Sequence, residues 1–278
     1  MSQLFNYHTL KTRLEKSTRT LFITLNNDHY QNSITMETLF ELESLLAWCT
    51  TRVEINSIFI QSSTDYFSHG YNKELLKKLT LDKLQKFTAK LQLINQAIIC
   101  LPQTVIIDLQ MGAKNIASEL AAACDIRISN RSCQISFDHS KLGIISCSGG
   151  ISILSQSIGH ANAKNWLLSG ANIPLSKLES SGFVFQSYTL NNRDEVIQNL
   201  LQDINGQSPV QRIQTKLGLS EGQRQHMEPM FIFENQISKA AMITEDWREK
   251  QTTDSMPAKS MKEAVKLSLL KNEEDLPN

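Results

Sequence analysis

Short apolar runs alternate with amphipathic stretches over the first half of the chain. Residues 21–25, 55–60 and 104–109 are apolar and β-branched runs bounded by polar clusters, a pattern typical of buried strands. Between them, residues 35–49 and 84–101 carry apolar residues at three- and four-residue steps, as amphipathic helices do. This alternation predicts an α/β fold in which helices cover a sheet of parallel strands.

Shorter elements are predicted after Asp108. They are a helix over 116–124, a strand over 125–129, a hairpin-like return over 134–137, helices over 149–158 and 161–169, and a strand over 183–188. Beyond residue 192 the pattern predicts helices alone, three of them before residue 249, and the polar tail has apolar residues at a four-residue step. We therefore expect an α/β core over 1–192, a helical region over 193–250, and a polar tail with one predicted helix over 251–278.

Composition narrows the classes of function. The 278 residues contain 28 Lys and Arg and 28 Asp and Glu, so the net charge is zero and neither a nucleic-acid nor a membrane partner is expected. No apolar run is long enough to span a bilayer, and the first 14 residues lack the apolar stretch of a secretory signal, so we expect a cytoplasmic protein. The five cysteines form no C-x-x-C pair, which predicts reduced, mostly buried thiols and no metal site.

Two turns that lead from a strand into a helix are the first candidates for chemistry. The motifs of nucleotide-binding loops, serine hydrolases and zinc proteases are absent from the sequence. The turn FSHG at 67–70 and the turn capped by Asn115 each leave unpaired backbone N–H groups at a helix start. Two such groups that face each other would form an oxyanion hole, each worth roughly 3 kcal/mol to a transition state. The alternative is that both are ordinary helix starts.

Several collinear segments carry a family resemblance. They are QNSI at 31–34, FSHGYNK at 67–73, LPQTVI at 101–106, ELAAACDIRIS at 119–129, KLGI at 141–144, SGG at 148–150 and SIGHANAKNWLLSGANI at 157–173. Together they resemble the enoyl-CoA hydratase/isomerase, or crotonase, superfamily over roughly residues 14–250. The resemblance implies a crotonase-like spiral of β-β-α units that forms two roughly perpendicular sheets. A helical C-terminal region that builds homotrimers or hexamers would follow.

The resemblance also implies a substrate and its binding residues. Members bind an acyl-CoA or acyl-carrier thioester and hold its carbonyl oxygen between two backbone N–H groups. Those donors match Tyr71, which follows Gly70, and Ile116; Lys73 lies where CoA is gripped. His69 is expected as a pocket-wall residue or a second acid/base. The family's glycine run is replaced here by residues 115–117, and the β-branched Ile116 adds bulk where glycine permits close approach.

Two catalytic positions follow from the same comparison. The first hydratase glutamate matches Glu119, and the second is replaced by His139, preceded by Asp138 where the family has proline. We expect hydratase- or isomerase-like enolate chemistry. The resemblance implies no metal or redox cofactor, and CoA enters as part of the substrate. Two alternatives stay open. One is a catalytically silent protein that binds thioesters or partners, and the other is a divergent thioester decarboxylase or hydrolase.

Overall fold

The computed structural model describes residues 5–28 and 31–249, and their strands form two sheets. In these residues the larger sheet has six strands, in the spatial order β1 (Leu10–Glu15), β2 (Thr20–Leu25), β3 (Ser57–Ser62), β4 (Thr104–Asp108), β6 (Ile126–Asn130) and β9 (Gln186–Tyr188). Strand β1 is antiparallel to β2, and every other neighbouring pair is parallel. The smaller sheet contains β5 (Gly112–Lys114), β7 (Gln134–Ser136) and β8 (Asn172–Pro174).

The helices surround these sheets and fill most of the second half of the chain. In order they are α1 (Met36–Cys49), α2 (Lys73–Lys78), α3 (Leu81–Cys100), α4 (Ile116–Ala123), α5 (Ser152–Ile158), α6 (His160–Ser169), α7 (Leu175–Ser180), α8 (Arg193–Gly206), α9 (Pro209–Met242) and α10 (Asp246–Glu249). Among the described residues, no helix is long and apolar enough to cross a membrane. The predicted tail helix over 251–278 lies outside the described residues.

The chain spirals between the two sheets. After β4 it enters the smaller sheet as β5, passes through α4 and returns to the larger sheet as β6. Strand β6 is followed in the same way by β7, and β5 and β7 pair in parallel. Ser68, which follows β3, bridges to Ala113 of β5 in the same direction and so extends the smaller sheet. The predicted spiral of β-β-α units is confirmed.

The predicted hairpin over residues 134–137 is wrong. Strand β6 pairs with β4 and β9, whereas β7 joins β5 and β8 in the other sheet. The last predicted strand is also shorter than expected, since only Gln186–Tyr188 pairs, with β6. Short apolar runs predict strands but not their partners, because pairing depends on contacts that are distant in sequence.

Both faces of the larger sheet are covered by apolar packing. The main cluster holds side chains of β2, β3 and β4 against α1 and α3, including Leu39, Leu91 and Ile107. The other face packs on α8, where Phe59 and Ile106 belong to one buried cluster with Leu201. Helix α8 opens the region over 193–250 that the resemblance assigns to oligomerisation, and it also completes the core. The division of the chain at residue 192 stays a prediction.

Buried polar groups attach α9 to the core. The Lys216 ammonium group donates to Oδ2 of Asp125 at 2.6 Å and to the carbonyl of Gln103 at 2.7 Å. At the end of the helix, the fully buried indole of Trp247 donates to the carbonyl of Met242 at 3.3 Å. The five cysteines are free, and four of them are buried, as the sequence predicts.

Candidate functional site

The two predicted turns lie side by side because the smaller sheet aligns the segments that precede them. The N–H of Phe67 donates to the carbonyl of Gly112 at 3.0 Å, and the N–H of Lys114 donates to the carbonyl of Ser68 at 3.1 Å. The two segments run in the same direction, so the chain leaves both at the same edge of the sheet. The helix starts after Gly70 and after Asn115 are therefore neighbours.

Two backbone N–H groups converge on one oxygen at this point. The N–H of Tyr71 donates to Oδ1 of Asn115 at 2.9 Å, and the N–H of Ile116 donates to the same oxygen at 2.9 Å. These are the two donors that the family resemblance implies. The oxygen between them belongs to the asparagine that replaces a family glycine. The Ile116 side chain, expected to add bulk here, is fully buried in the main apolar cluster.

Asn115 adopts a strained backbone conformation to reach this position. Its φ of +41° and ψ of −115° lie outside the regions that L-residues usually occupy. Its Nδ2 donates to Oδ1 of Asp138 at 3.3 Å, which anchors the other end of the carboxamide. Gly70, at a φ of +70°, leaves the necessary space, since a Cβ there would lie 1.8 Å from Oδ1 of Asn115. The carboxamide is thus enclosed by residues of both turns.

A polar cavity of about 370 Å³ opens beside the two turns. Its wall includes Tyr71 and Asn115 together with His69, Lys73 and Lys114. The His69 ring stacks on Tyr66 with 4.4 Å between ring centroids, and burial, followed by the charge of Lys114, lowers the pKa of His69. Every residue predicted to bind substrate through this turn therefore lies at or beside one cavity.

Glu119 is fully buried and accepts hydrogen bonds on both carboxylate oxygens. Its Oε1 accepts from the Ser146 hydroxyl at 2.5 Å and from the N–H groups of Ser148 and Gly150 at 3.0 and 3.2 Å. Its Oε2 lies 3.2 Å from Nε2 of His139. Burial raises the pKa of Glu119, but His139 and the hydrogen bonds lower the pKa by more than burial raises it, so the net shift is downward. The carboxylate is therefore ionised at neutral pH.

His139 is paired with Glu119 through only one ring nitrogen. It begins the short 3-10 helix His139–Leu142 after β7 and is 2% exposed. Its Nδ1 has no hydrogen-bond partner among the described residues. When the Nε2–H group donates a hydrogen bond to Glu119, Nδ1 keeps a free lone pair. This is the arrangement of an oriented general base.

A second cavity, of about 410 Å³, is bordered by His139 and is mostly apolar. Its other wall residues include Ile144, Ile151, Leu167 and Phe137. Asp138 borders the polar cavity while the adjacent His139 borders the apolar one. Residues 138 and 139 thus border two different cavities, whereas the fully buried Glu119 lines neither of the two.

The sequence analysis missed a second buried carboxylate. Glu234 of α9 is fully buried, and its oxygens accept from the N–H groups of Gly149 and Ser152 at 3.0 and 2.8 Å. Burial, and then the charge of Glu119, raise the pKa of Glu234 to about 7. The loop over 148–152 is therefore held from both sides by carboxylates. The mostly polar pattern of α9 contains no local signal for this contact, because the helix has to dock before Glu234 meets the loop.

One group of potential metal ligands occurs in the described ranges, and it lies outside this site. Nδ1 of His8 is 2.8 Å from Oε1 of Glu37, and Glu41 is close to both. Glu41 is already engaged, since it accepts from the N–H groups of His8 and Thr9. This exposed group joins β1 to α1 through hydrogen bonds, and the residues around Asn115 and Glu119 contribute no comparable ligand set.

Comparison with known sequences identifies relatives over most of the chain. The family model described as enoyl-CoA hydratase/isomerase matches residues 15–256. The chain is 24% identical to the 2,3-dehydroadipyl-CoA hydratase of Escherichia coli over 242 residues, which cover 85% of this chain and 92% of the relative. It is 22% identical to the short-chain-enoyl-CoA hydratase of Clostridium acetobutylicum over 244 residues, covering 86% and 92%.

Solved structures share the fold. A crystal structure of an enoyl-CoA hydratase from Mycobacterium avium subsp. paratuberculosis matches with a TM-score of 0.79 at 17% identity, covering 89% of this chain and 95% of that chain. An enoyl-CoA hydratase from Bacillus halodurans matches with a TM-score of 0.79 at 21% identity, covering 88% and 99%. At these identities the likeness concerns the arrangement of the backbone.

Proposed function

Because the chain belongs to the enoyl-CoA hydratase/isomerase family, we propose that it processes acyl-CoA or acyl-carrier thioesters by stabilising a thioester enolate between the N–H groups of Tyr71 and Ile116. One observation carries this proposal: both N–H groups lie 2.9 Å from the same carbonyl-type oxygen. Oδ1 of Asn115 occupies the place of a thioester carbonyl oxygen. Donors at this distance from a developing oxyanion are the geometric requirement for such stabilisation.

The polar cavity beside these donors suits the CoA arm of the substrate. Lys73 and Lys114 both border it, and their ammonium groups can attract the phosphates of CoA. The acyl chain would occupy the apolar cavity bordered by His139, because burial of methylene groups favours binding there. No metal or redox group is needed in this scheme, and CoA enters as part of the substrate. We also propose the homotrimeric or hexameric assembly that the resemblance implies.

His139 is the proposed proton carrier, and Glu119 orients it. All hydrogen bonds to Glu119 come from within the protein, and its low pKa keeps it ionised. Nδ1 of His139 is a buried atom that lacks a partner in the described part of the chain, so it can take a proton only from an acyl group or a water molecule that reaches it from the apolar cavity that His139 borders. This chemistry fits hydration or double-bond isomerisation, and general acid–base help of this kind contributes about 10²- to 10⁴-fold.

A second candidate function is thioester binding without turnover. It is favoured by the filled position between the two N–H groups, and by the complete set of internal hydrogen bonds on Glu119. In that case His139 and Glu119 would only stabilise the fold.

The two functions are separated by turnover of crotonyl-CoA and of a 3-enoyl-CoA. If the protein is an enzyme, Glu119→Gln and His139→Gln should each lower kcat by about 100-fold or more, while binding of butyryl-CoA changes little. Glu221→Gln is the matched control, because Glu221 is half-exposed on α9 and forms an ion pair with Arg224. Circular dichroism checks that each variant is folded.

Three outcomes are informative. Turnover that survives Glu119→Gln and His139→Gln contradicts the proposed acid/base pair. Calorimetric binding of butyryl-CoA with no turnover of either substrate favours the binding protein. Absence of both binding and turnover contradicts both functions.

A further inference from the structure

We infer that Asn115 is an internal ligand of the oxyanion position: its side-chain oxygen competes with the thioester carbonyl and has to leave before substrate can bind there. The inference rests on the proposed function, because it assigns the same two N–H groups to the thioester. It adds that residue 115 determines how strongly the site recognises a thioester carbonyl.

The competition follows from the number of hydrogens available. Each backbone N–H has one hydrogen to donate. The N–H of Tyr71 and the N–H of Ile116 both direct it to Oδ1 of Asn115 at 2.9 Å, which is an ordinary full-strength distance. A thioester oxygen cannot accept these hydrogen bonds while Oδ1 is in place.

Helix capping alone does not account for this arrangement. A capping asparagine normally has an extended backbone and accepts from the second or third N–H of its helix. Asn115 has a φ of +41°, accepts from Ile116, the first residue of α4, and also accepts from Tyr71, which is 44 residues away in sequence. The geometry is that of a ligand held by two separate turns.

The side chain is held under strain and has space into which it can move. Strained backbone angles persist only where surrounding contacts impose them. The backbone is held by its own N–H, which donates to the carbonyl of Ser136 at 2.8 Å, and by its carbonyl, which accepts from the N–H groups of Ser118 and Glu119. The side chain is held by the two N–H groups and by Asp138, whose carboxylate accepts from Nδ2 of Asn115 at 3.3 Å. Asn115 also borders the polar cavity of about 370 Å³, so rotation about its side-chain bonds can move the carboxamide into that cavity. Displacement therefore requires no rearrangement of the sheets.

The test compares two probes that differ by the carbonyl. Butyryl-CoA carries a thioester, and the thioether S-butyl-CoA has the same chain length with a methylene group in place of the carbonyl, so the ratio of their dissociation constants measures recognition of the carbonyl. We expect a ratio near one in the wild type. In Asn115→Gly and Asn115→Ala, butyryl-CoA should bind roughly 5- to 150-fold more tightly than S-butyl-CoA, which is the usual net worth of two hydrogen bonds.

The two variants and a control separate the competing explanations. Glycine removes both the oxygen and the backbone strain. Alanine removes the oxygen and keeps the strain, so an equal gain of carbonyl recognition in both variants assigns the effect to the oxygen. Asn72→Ser removes a carboxamide from the same cavity while keeping a capping side chain for α2, and should leave the ratio unchanged.

Failure of this inference is distinguishable from failure of the proposed function. If wild type already prefers butyryl-CoA as strongly as Asn115→Gly does, Asn115 does not compete and the inference is wrong, while the thioester site stands. If S-butyl-CoA and butyryl-CoA bind equally to both folded variants, carbonyl recognition by these N–H groups is refuted. If neither probe binds to wild type or variants, the proposed function itself fails.

Discussion

Replacement of Glu234 by glutamine should abolish one component of the pH dependence of stability. Glu234 is fully buried on α9, and its carboxylate oxygens accept from the N–H groups of Gly149 and Ser152. Burial is the main cause of the raised pKa of Glu234, and the charge of the neighbouring Glu119 is the second cause. Glutamine has the shape of the protonated acid, so Glu234→Gln represents that form at every pH.

The magnitude follows from the shift in pKa. The pKa rises from the ordinary 4.5 to about 7 on folding, so the folded state holds this proton more tightly than the unfolded chain does. The contribution to stability is therefore fully present below pH 4.5 and is lost as the pH rises to about 7. At 1.36 kcal/mol for each pKa unit, the free energy of unfolding should fall by about 3 kcal/mol across this range.

Urea denaturation at several pH values between 5 and 8 measures this effect. The difference in unfolding free energy between wild type and Glu234→Gln should change toward the variant's advantage as the pH rises from 5 to about 7 and should level off above that pH. Subtraction of the variant removes the contributions of the other groups. Glu119 has the opposite sign, since its lowered pKa adds stability that is lost only at more acidic pH. A difference that stays constant from pH 5 to 8 would refute the reasoning.

Two further predictions concern the packing of the chain. Gly143→Ala should lower the unfolding free energy by about 2–5 kcal/mol in chemical denaturation, because a Cβ there would lie 2.4 Å from the backbone N of Trp247 at a φ of +71°. Gly182→Ala is its matched control, since its φ of +75° meets no atom within 4 Å, and a loss as large as that of Gly143→Ala would contradict the steric argument. Arg193→Met should cost about 3–5 kcal/mol by the same measurement, because it leaves the buried Asp108 carboxylate without the guanidinium 2.7 Å away. Arg193→Lys should lose less, and an equal loss in both variants would show that charge is not the cause.

The arrangement around Glu119 changes how an acid/base residue at this position should be viewed. Oε1 accepts three hydrogen bonds from residues 146–150, and Oε2 faces His139. These internal hydrogen bonds support the proposal that Glu119 orients His139 and that His139 carries the proton. The activity measurements above test whether both residues are needed.

Local patterns in the sequence determined much of the architecture. Apolar periodicity predicted α1, α3 and the three buried strands β2, β3 and β4, because a side chain's contact with the core is set by its position on a helix or strand. The change to helices alone after residue 192 was also predicted from local apolar periodicity. Strands of three residues, such as β5 and β8, were not predicted, because three residues are too few to show an alternating pattern.

The candidate site divides in the same way. The two N–H donors were assigned by matching family motifs; Ile116 begins α4, whereas Tyr71 lies just before Asn72, the cap of α2. Their meeting depends on the pairing of Ser68 with Ala113, which joins segments 45 residues apart and leaves no periodic trace. The Asn115 carboxamide oxygen lies between the two N–H groups, and Glu234 contacts the loop over 148–152. Both positions likewise depend on contacts made only after the chain has folded. Sequence therefore determined which groups are present, and tertiary structure decided which groups face one another.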